Sequence, residues 1–283
     1  MKTLLALLLS AFIVSCAHPS SPQKFPIIDA HAHFNSKKTQ QFDQPSREIL
    51  AEYQEAGVIG AVIHFSDLEN FKAKVNRKSS VQFATCMGLH PGDSVKEVEK
   101  GIREGRFQCI KVYLGYVPLW ATDKFYHAFY KLAQNYKIPV VFHTGDTFDK
   151  KAKVKYADPL QIDEVAVEYP NVKFVIAHMG NPWFNSAAEV VYKNDNVYVD
   201  VSALVLGDVS KFKKEEVEEL VIKPMKWFYA YVENPKKFLF GSDWPLMKVK
   251  PYIDLLKKII PEAHWKTFFY ENALEVFSFS KVE

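Results

Sequence analysis

Imidazole groups dominate the chemistry this sequence could do. The 283-residue chain has nine histidines, and six of them stand at or beside the C-terminal ends of short β-rich runs: His31, His33, His64, His90, His143 and His178. The other three are His18 near the N-terminus and His127 and His264 in helical stretches. Neutral imidazole is the commonest metal ligand in proteins, and its nitrogen suits zinc, iron, nickel or copper better than magnesium or calcium. The sharpest spacing is Asp29-Ala30-His31-Ala32-His33. Strand side chains alternate faces, so His31 and His33 point the same way and can share one cation. Asp29 has the same parity one step deeper and reads as a support of the pair rather than a ligand. Three more apolar runs end on a polar residue: Val140–Phe142 on His143, Phe174–Ala177 on His178, and Phe238–Ser242 on Asp243. Any one of these alone could be a hydrogen-bonded cap or a turn residue. Their recurrence at strand ends points to one shared site.

Such a site needs strand ends that converge. β-rich runs cover Ile27–His33, Ala61–Phe65, Val81–Leu89, Cys109–Leu114, Val140–His143, Val172–His178, Val197–Val201 and Phe238–Gly241. Amphipathic helical stretches alternate with them, from Ser46–Ala56 to Tyr252–Ile260, and Glu262–Phe277 adds a helical C-terminus. Eight strands alternating with helices read as repeated βα units on a parallel sheet. Residues 27 to 243 span 217 positions, which suits eight units of under 30 residues. The expected fold is a single α/β domain, a (β/α)8 TIM barrel, whose strands present their C-terminal ends on one face. A doubly wound open sheet is the alternative, but no glycine-rich phosphate loop follows the first strand. Hydrophobic residues at 48% and charged residues at 24% exclude a disordered chain. The net charge of +3 is scattered, which argues against a nucleic-acid partner.

The N-terminus carries a different pattern. Lys2 precedes the apolar run Leu4–Val14, too short to span a bilayer but the length of a secretory signal core. The run ends in Ile13-Val14-Ser15-Cys16, which resembles a bacterial lipobox. Residues 1–15 then form the signal peptide, 16–26 a proline-rich tether, and 27–283 the barrel. Cys16 would receive diacylglycerol and anchor the exported chain to a membrane; Ala17 in place of Asp favours the outer membrane, facing the periplasm. An ordinary signal cut after Ala17 is the competing reading. The export signal permits a disulfide between the other two cysteines, Cys86 and Cys109, but sequence alone does not bring them together, and buried free thiols are the expectation.

Together these segments resemble the amidohydrolase superfamily, in particular its amidohydrolase-related branch of TIM-barrel metal-dependent hydrolases, which also includes decarboxylases. The resemblance runs from Ile27 to about Phe277. It rests on Ile28–His33, Gly88-Leu89-His90-Pro91, Ile110-Lys111-Val112-Tyr113, the His143 and His178 segments, Phe240–Pro245 and Glu271-Asn272-Ala273. It implies a divalent metal, Zn2+ first, held by His31, His33, His143 and Asp243, with His178 a further ligand or a catalytic base and acid. Lys111 separates two versions. Carboxylated, it would bridge two metals; unmodified, it would orient a substrate carboxylate or pair with Asp243 beside a single ion. His64 and His90 are candidates to touch a small-molecule substrate, and Trp120, Trp183 and Trp244 could roof the pocket. The expected reaction is hydrolysis of an amide, lactone or other ester by a metal-activated water, with Asp243 and His178 moving protons. The alternatives are a non-oxidative decarboxylase on the same scaffold and a non-catalytic binding lipoprotein.

Overall fold

The computed structural model describes residues 25–33, 46–65 and 81–279. The expected signal peptide, Cys16 and the tether up to residue 24 lie outside the described residues. The elements are β1 (Ile27–Ala32), α1 (Ser46–Ala56), β2 (Val58–Phe65), β3 (Gln82–Leu89), α2 (Val95–Arg103), β4 (Cys109–Tyr113), α3 (Lys124–Tyr136), β5 (Val140–His143), α4 (Ile162–Glu168), β6 (Phe174–Ile176), α5 (Phe184–Lys193), β7 (Val197–Asp200), α6 (Lys214–Val217), α7 (Lys223–Val232), β8 (Phe238–Leu239), α8 (Val249–Leu256) and α9 (Asn272–Val276). The eight strands are all parallel and lie in sequence order. The segment after β8 returns to β1: Ala30 donates to the Phe240 carbonyl at 2.8 Å, Asp243 to that of His31 at 2.7 Å, and His33 to that of Trp244 at 2.7 Å. A nearly closed (β/α)8 TIM barrel results, as expected, and the open-sheet alternative does not hold.

Two apolar layers follow from strand alternation. Inward-facing Ile28, Val62, Ala84, Cys86, Cys109, Val141, Val175 and Leu239 fill the barrel. Tyr270, Ala273, Val276 and Phe277 join that layer, so the C-terminal segment plugs the end where the strands begin. The alternate strand residues, such as Ile110, Val112, Phe142 and Phe174, face the helices. The helix α3 shows the local logic. Asp123 caps it by accepting from the Phe125 amide, Lys137 ends it in the left-handed region, and Tyr126, Phe129, Tyr130 and Ala133 recur at helical spacing on its buried face.

Two expectations are corrected. Cys86 and Cys109 are not free thiols but form a disulfide. They are register partners on adjacent parallel strands and both point inward, with Cα atoms 4.3 Å apart. Neighbouring parallel strands bring together residues that no sequence spacing relates. The even alternation from Asp29 to His33 also fails, because the β1 register shifts between Asp29 and Ala32. Asp29 instead bonds the Tyr53 hydroxyl of α1 at 2.9 Å, the Ser242 amide at 2.9 Å and the Ser242 hydroxyl. It ties β1 to the segment after β8, which is the support role expected of it.

Candidate active site

His31 is the centre of the polar cluster. It is fully buried, with Nδ1 2.8 Å from Asp200 Oδ2 and Nε2 3.6 Å from Asp243 Oδ1. Its position depends on Gly241: a Cβ there would stand 2.8 Å from His31 Cβ and 3.1 Å from Ser202 Cβ. His33 lies beside it, with Nε2 3.1 Å from the same Asp243 oxygen. The His33 Nδ1–H donates to the His64 carbonyl at 3.1 Å. These outer partners place a proton on Nδ1 of each ring and turn Nε2 toward Asp243.

Asp243 follows the last strand with φ at 56°, and His178 follows β6 with φ at 60°. Left-handed backbone at a non-glycine residue costs on the order of 1–3 kcal/mol and gathers at functional sites. His178 is held by three contacts. Its amide donates to Asp200 Oδ1 at 3.1 Å, and its Nδ1 lies 2.9 Å from Ser202 Oγ and 3.2 Å from the Ser202 carbonyl. Nδ1 is also 4.0 Å from Asp243 Oδ2. His143 stands edge-on to His178 at 5.0 Å between ring centres, with its Nε2 2.9 Å from the Asp146 carbonyl. The left-handed Gly145 (φ 85°) permits this turn, since a Cβ would lie 2.1 Å from the Asn181 carbonyl oxygen.

Lys111 on β4 is buried, and its Nζ is 3.4 Å from His31 Nε2, a long contact. No ion pair to it forms among the described residues. His64 is buried with its ring 4.1 Å from that of His31, and its Nδ1 has no hydrogen-bond partner among the described residues. His90 stands apart. It is exposed beyond β3, its amide bonds Asp93, and its ring lies 6.0 Å from that of Tyr113. Of the three tryptophans, Trp244 is core, Trp183 is half-buried, and Trp120 is exposed against Tyr156 with ring centres 4.7 Å apart.

Burial sets the charges. It holds His31, His64 and His143 well below the ordinary histidine range, with the Lys111 ammonium adding to the effect on each. His178 is lowered as well, chiefly by burial. All four rings are therefore neutral at pH 7 and offer lone pairs. Burial also pushes the Lys111 ammonium down to about 8. For Asp243 burial acts upward, but His31, His33 and His178 outweigh it and hold the carboxyl well below the usual carboxylate range.

The donor set fits a divalent cation. Asp243 Oδ1 is buried and has no hydrogen-bond partner among the described residues, although two imidazole nitrogens lie within 3.6 Å. The His31 nitrogen is unprotonated, and the His33 ring, with its Nδ1–H given to the His64 carbonyl, turns Nε2 to the same oxygen. Ligand atoms around a tetrahedral zinc with bonds of roughly 2.0–2.1 Å would stand about 3.3 Å apart, close to the 3.1 and 3.6 Å seen here. His31, His33 and Asp243 form one group that could hold a metal ion, and His31, His178 and Asp200 form another. The two share His31 and differ in which of its nitrogens is used. Asp200 Oδ2 faces the protonated Nδ1, so the first group is the better cation site and Asp200 the support of His31. His143 belongs to neither group. Asp200 and Ser202 are absent from the residues singled out in the sequence. The only hint of Asp200 is an acid inside an otherwise apolar strand.

The amidohydrolase family profile matches residues 28–279. No curated protein matches the sequence. Among solved structures, a probable 2-pyrone-4,6-dicarboxylic acid hydrolase from Acinetobacter baumannii superposes with a TM-score of 0.68 at 15% identity, over 89% of this chain and 99% of that one. A 5-carboxyvanillate decarboxylase from Novosphingobium aromaticivorans, in complex with manganese, gives 0.64 at 14% identity over 90% and 96%. A dihydroorotase from Campylobacter jejuni gives 0.61 at 14% over 92% and 85%. At these identities the likeness is one of fold. The profile match covers most of the chain, and with it the strand ends that carry His31, His33, His143, His178 and Asp243; the chain belongs to the amidohydrolase family.

Proposed function

We propose that the chain is a metal-dependent hydrolase that cleaves an amide, lactone or other ester bond in a small molecule. The observation that carries this reading is the meeting of the His31 and His33 Nε2 atoms at Asp243 Oδ1, which has no hydrogen-bond partner among the described residues. These three residues would hold the ion, zinc first, with His143 and His178 closing the rim. A divalent cation there supplies a water of lowered pKa and a Lewis-acid contact for the scissile carbonyl. Asp243 uses its second oxygen to take the proton of the attacking water and return it to the leaving group. His178, with Nδ1 committed to Ser202, has Nε2 free to hydrogen-bond the nucleophile or the developing oxyanion. His31, His64 and Lys111 at the base of the site are buried by the barrel packing. The test is His31→Ala in the purified chain. Loss of bound metal together with turnover on an ester and lactone panel is expected, and unchanged metal content would overturn the assignment. Anomalous scattering at metal edges counts the ions and shows whether Lys111 carries a carboxylate.

One observation favours a second reading. The Lys111 ammonium is buried at the base of the cluster without an ion pair among the described residues, and it could take a substrate carboxylate. Non-oxidative decarboxylation would use that contact. Release of carbon dioxide from cyclic enoic or aromatic acids, with no ester or amide turnover, would establish it in place of hydrolysis.

The anchor at Cys16 is also part of this reading. The Cys86–Cys109 disulfide supports export, because such bonds persist in oxidising compartments. It also accounts for both cysteines other than Cys16. The mass of the mature N-terminus tests it: a diacylglyceryl group on Cys16 is expected, and a chain starting at His18 would mean an ordinary signal.

A further inference from the structure

We propose that the flank of the barrel carrying Tyr192, Trp227 and Tyr231 rests in the headgroup layer of a phospholipid membrane, with the active-site mouth turned away from it. This inference rests on the anchor at Cys16 proposed above. Three observations carry it.

The first is an exposed aromatic cluster on α5 and α7. Trp227 and Tyr231 on α7 stack with ring centres 5.1 Å apart, and Tyr192 on α5 meets Tyr231 edge-on at 5.6 Å. They are 43%, 40% and 56% exposed. Single exposed apolar residues are ordinary, but a contiguous group marks a contact surface. Tryptophan and tyrosine, with an apolar body and a polar tip, are the side chains that favour the membrane–water interface.

The second is its place in the fold. Tyr192 lies in the last turn of α5, just before β7, and Tyr231 in the last turn of α7, just before β8. Both therefore sit at the end of the barrel where the strands begin. The polar cluster lies at the other end, where the strands finish.

The third is where the chain enters. Phe25 precedes β1 at that same end and packs on Trp265 and Phe269 at 6.2 and 5.8 Å between ring centres. The next residue back, His264, contacts the Tyr229 hydroxyl of α7 through Nδ1 at 2.7 Å. Entry point and aromatic cluster are thus joined through α7. From Cys16 to Phe25 there are 25 − 16 = 9 residue steps, a reach of at most about 30 Å. An acyl group at Cys16 therefore brings this end of the barrel to the bilayer. Exposed Lys226 on α7 adds cationic charge for anionic headgroups, while Lys223 pairs with Glu219, and Glu189, which accepts from the Tyr231 hydroxyl, partly offsets that charge.

The test uses the full chain, produced with its signal and reconstituted in vesicles of phosphatidylethanolamine and phosphatidylglycerol. Tryptophan emission is measured with nitroxide quenchers near the headgroup or at the acyl tail end, and the mature N-terminus is weighed in the same preparation. Quenching by the headgroup label but not the tail label is expected. Trp227→Phe loses it, and Trp120→Phe at the opposite end keeps it. An acylated Cys16 with no Trp227 quenching overturns the inference and leaves the anchor standing. An unacylated chain that stays off the vesicles removes both. Concentration-dependent dimerisation that Trp227→Ser and Tyr231→Ser abolish would assign the surface to a second copy instead, and also overturns it.

Discussion

Asp200 grips His31 by the nitrogen turned away from Asp243: its Oδ2 lies 2.8 Å from His31 Nδ1. Its other oxygen receives the His178 amide and the Ser202 amide, each at 3.1 Å, and the Ser202 hydroxyl. One carboxylate on β7 therefore orients two of the imidazoles at the site. Outer partners of metal-ligating histidines typically contribute a factor of about 10–100 in metal affinity. Asp200→Asn is expected to weaken metal binding by about that factor while the barrel stays folded, because the amide oxygen can still accept from His31. Competition with a chromogenic chelator measures the affinity, and thermal unfolding checks the fold. An unchanged affinity would show that Asp200 does not position His31.

Gly241 defines a second requirement. The close approach of the segment after β8 to His31 leaves no space for a methyl group. Gly241→Ala must displace either the His31 backbone or Ser202, and overpacking of this kind costs typically about 1–3 kcal/mol. A lower denaturation midpoint is expected, with a fall in metal content that tracks the shift of His31. Full metal content in a destabilised protein would separate the packing effect from the site.

The strand order, the barrel and the His31–His33 pair are legible in the sequence because each rests on a short-range period. Apolar runs mark the strands, and alternation places the two imidazoles on one face. Legibility stops where tertiary pairing decides. Asp200 reads as one acid in Val197-Tyr198-Val199-Asp200-Val201, and only barrel closure sets it against His31. The Cys86–Cys109 bond needs the β3–β4 register, which no spacing encodes. The shift in β1 between Asp29 and Ala32 breaks the simple parity and sends the Asp29 carboxylate toward Tyr53 and Ser242. The histidine count marked the rim, but proximity on the rim is not contact: His64 touches His31, while His90 faces solvent.

The disulfide offers a direct measure of stability. It closes a sequence separation of 23 residues. Chain-entropy arguments give about 3 kcal/mol for a loop of that size. Both cysteines are inaccessible in the folded barrel, so a thiol reductant should act only through unfolding. Denaturant titration of the Cys86→Ala, Cys109→Ala double variant is expected to show a lower midpoint and an unfolding free energy reduced by about that amount, with a slope that is equal or steeper because the denatured chain is less constrained. A midpoint equal to that of the parent chain would mean that the bond adds nothing to equilibrium stability.

Lys111 separates stability from function most sharply. Its ammonium is 1% exposed and its nearest polar contact is His31 Nε2 at 3.4 Å. A buried charge without a close partner is a burden on the fold, and replacement by an apolar side chain of similar volume is often neutral or stabilising by about 1–4 kcal/mol. Lys111→Met is therefore expected to raise the unfolding midpoint or leave it unchanged. If the amine binds a substrate carboxylate in both ground and transition state, the same variant raises KM and leaves kcat nearly intact. If it is the carboxylated bridge of a two-metal site, the variant loses metal and kcat together. Steady-state kinetics and metal analysis on one preparation distinguish the two, because only the second outcome lowers the metal count. A variant that is less stable than the parent yet keeps both kinetic constants would show that Lys111 is a packing element alone.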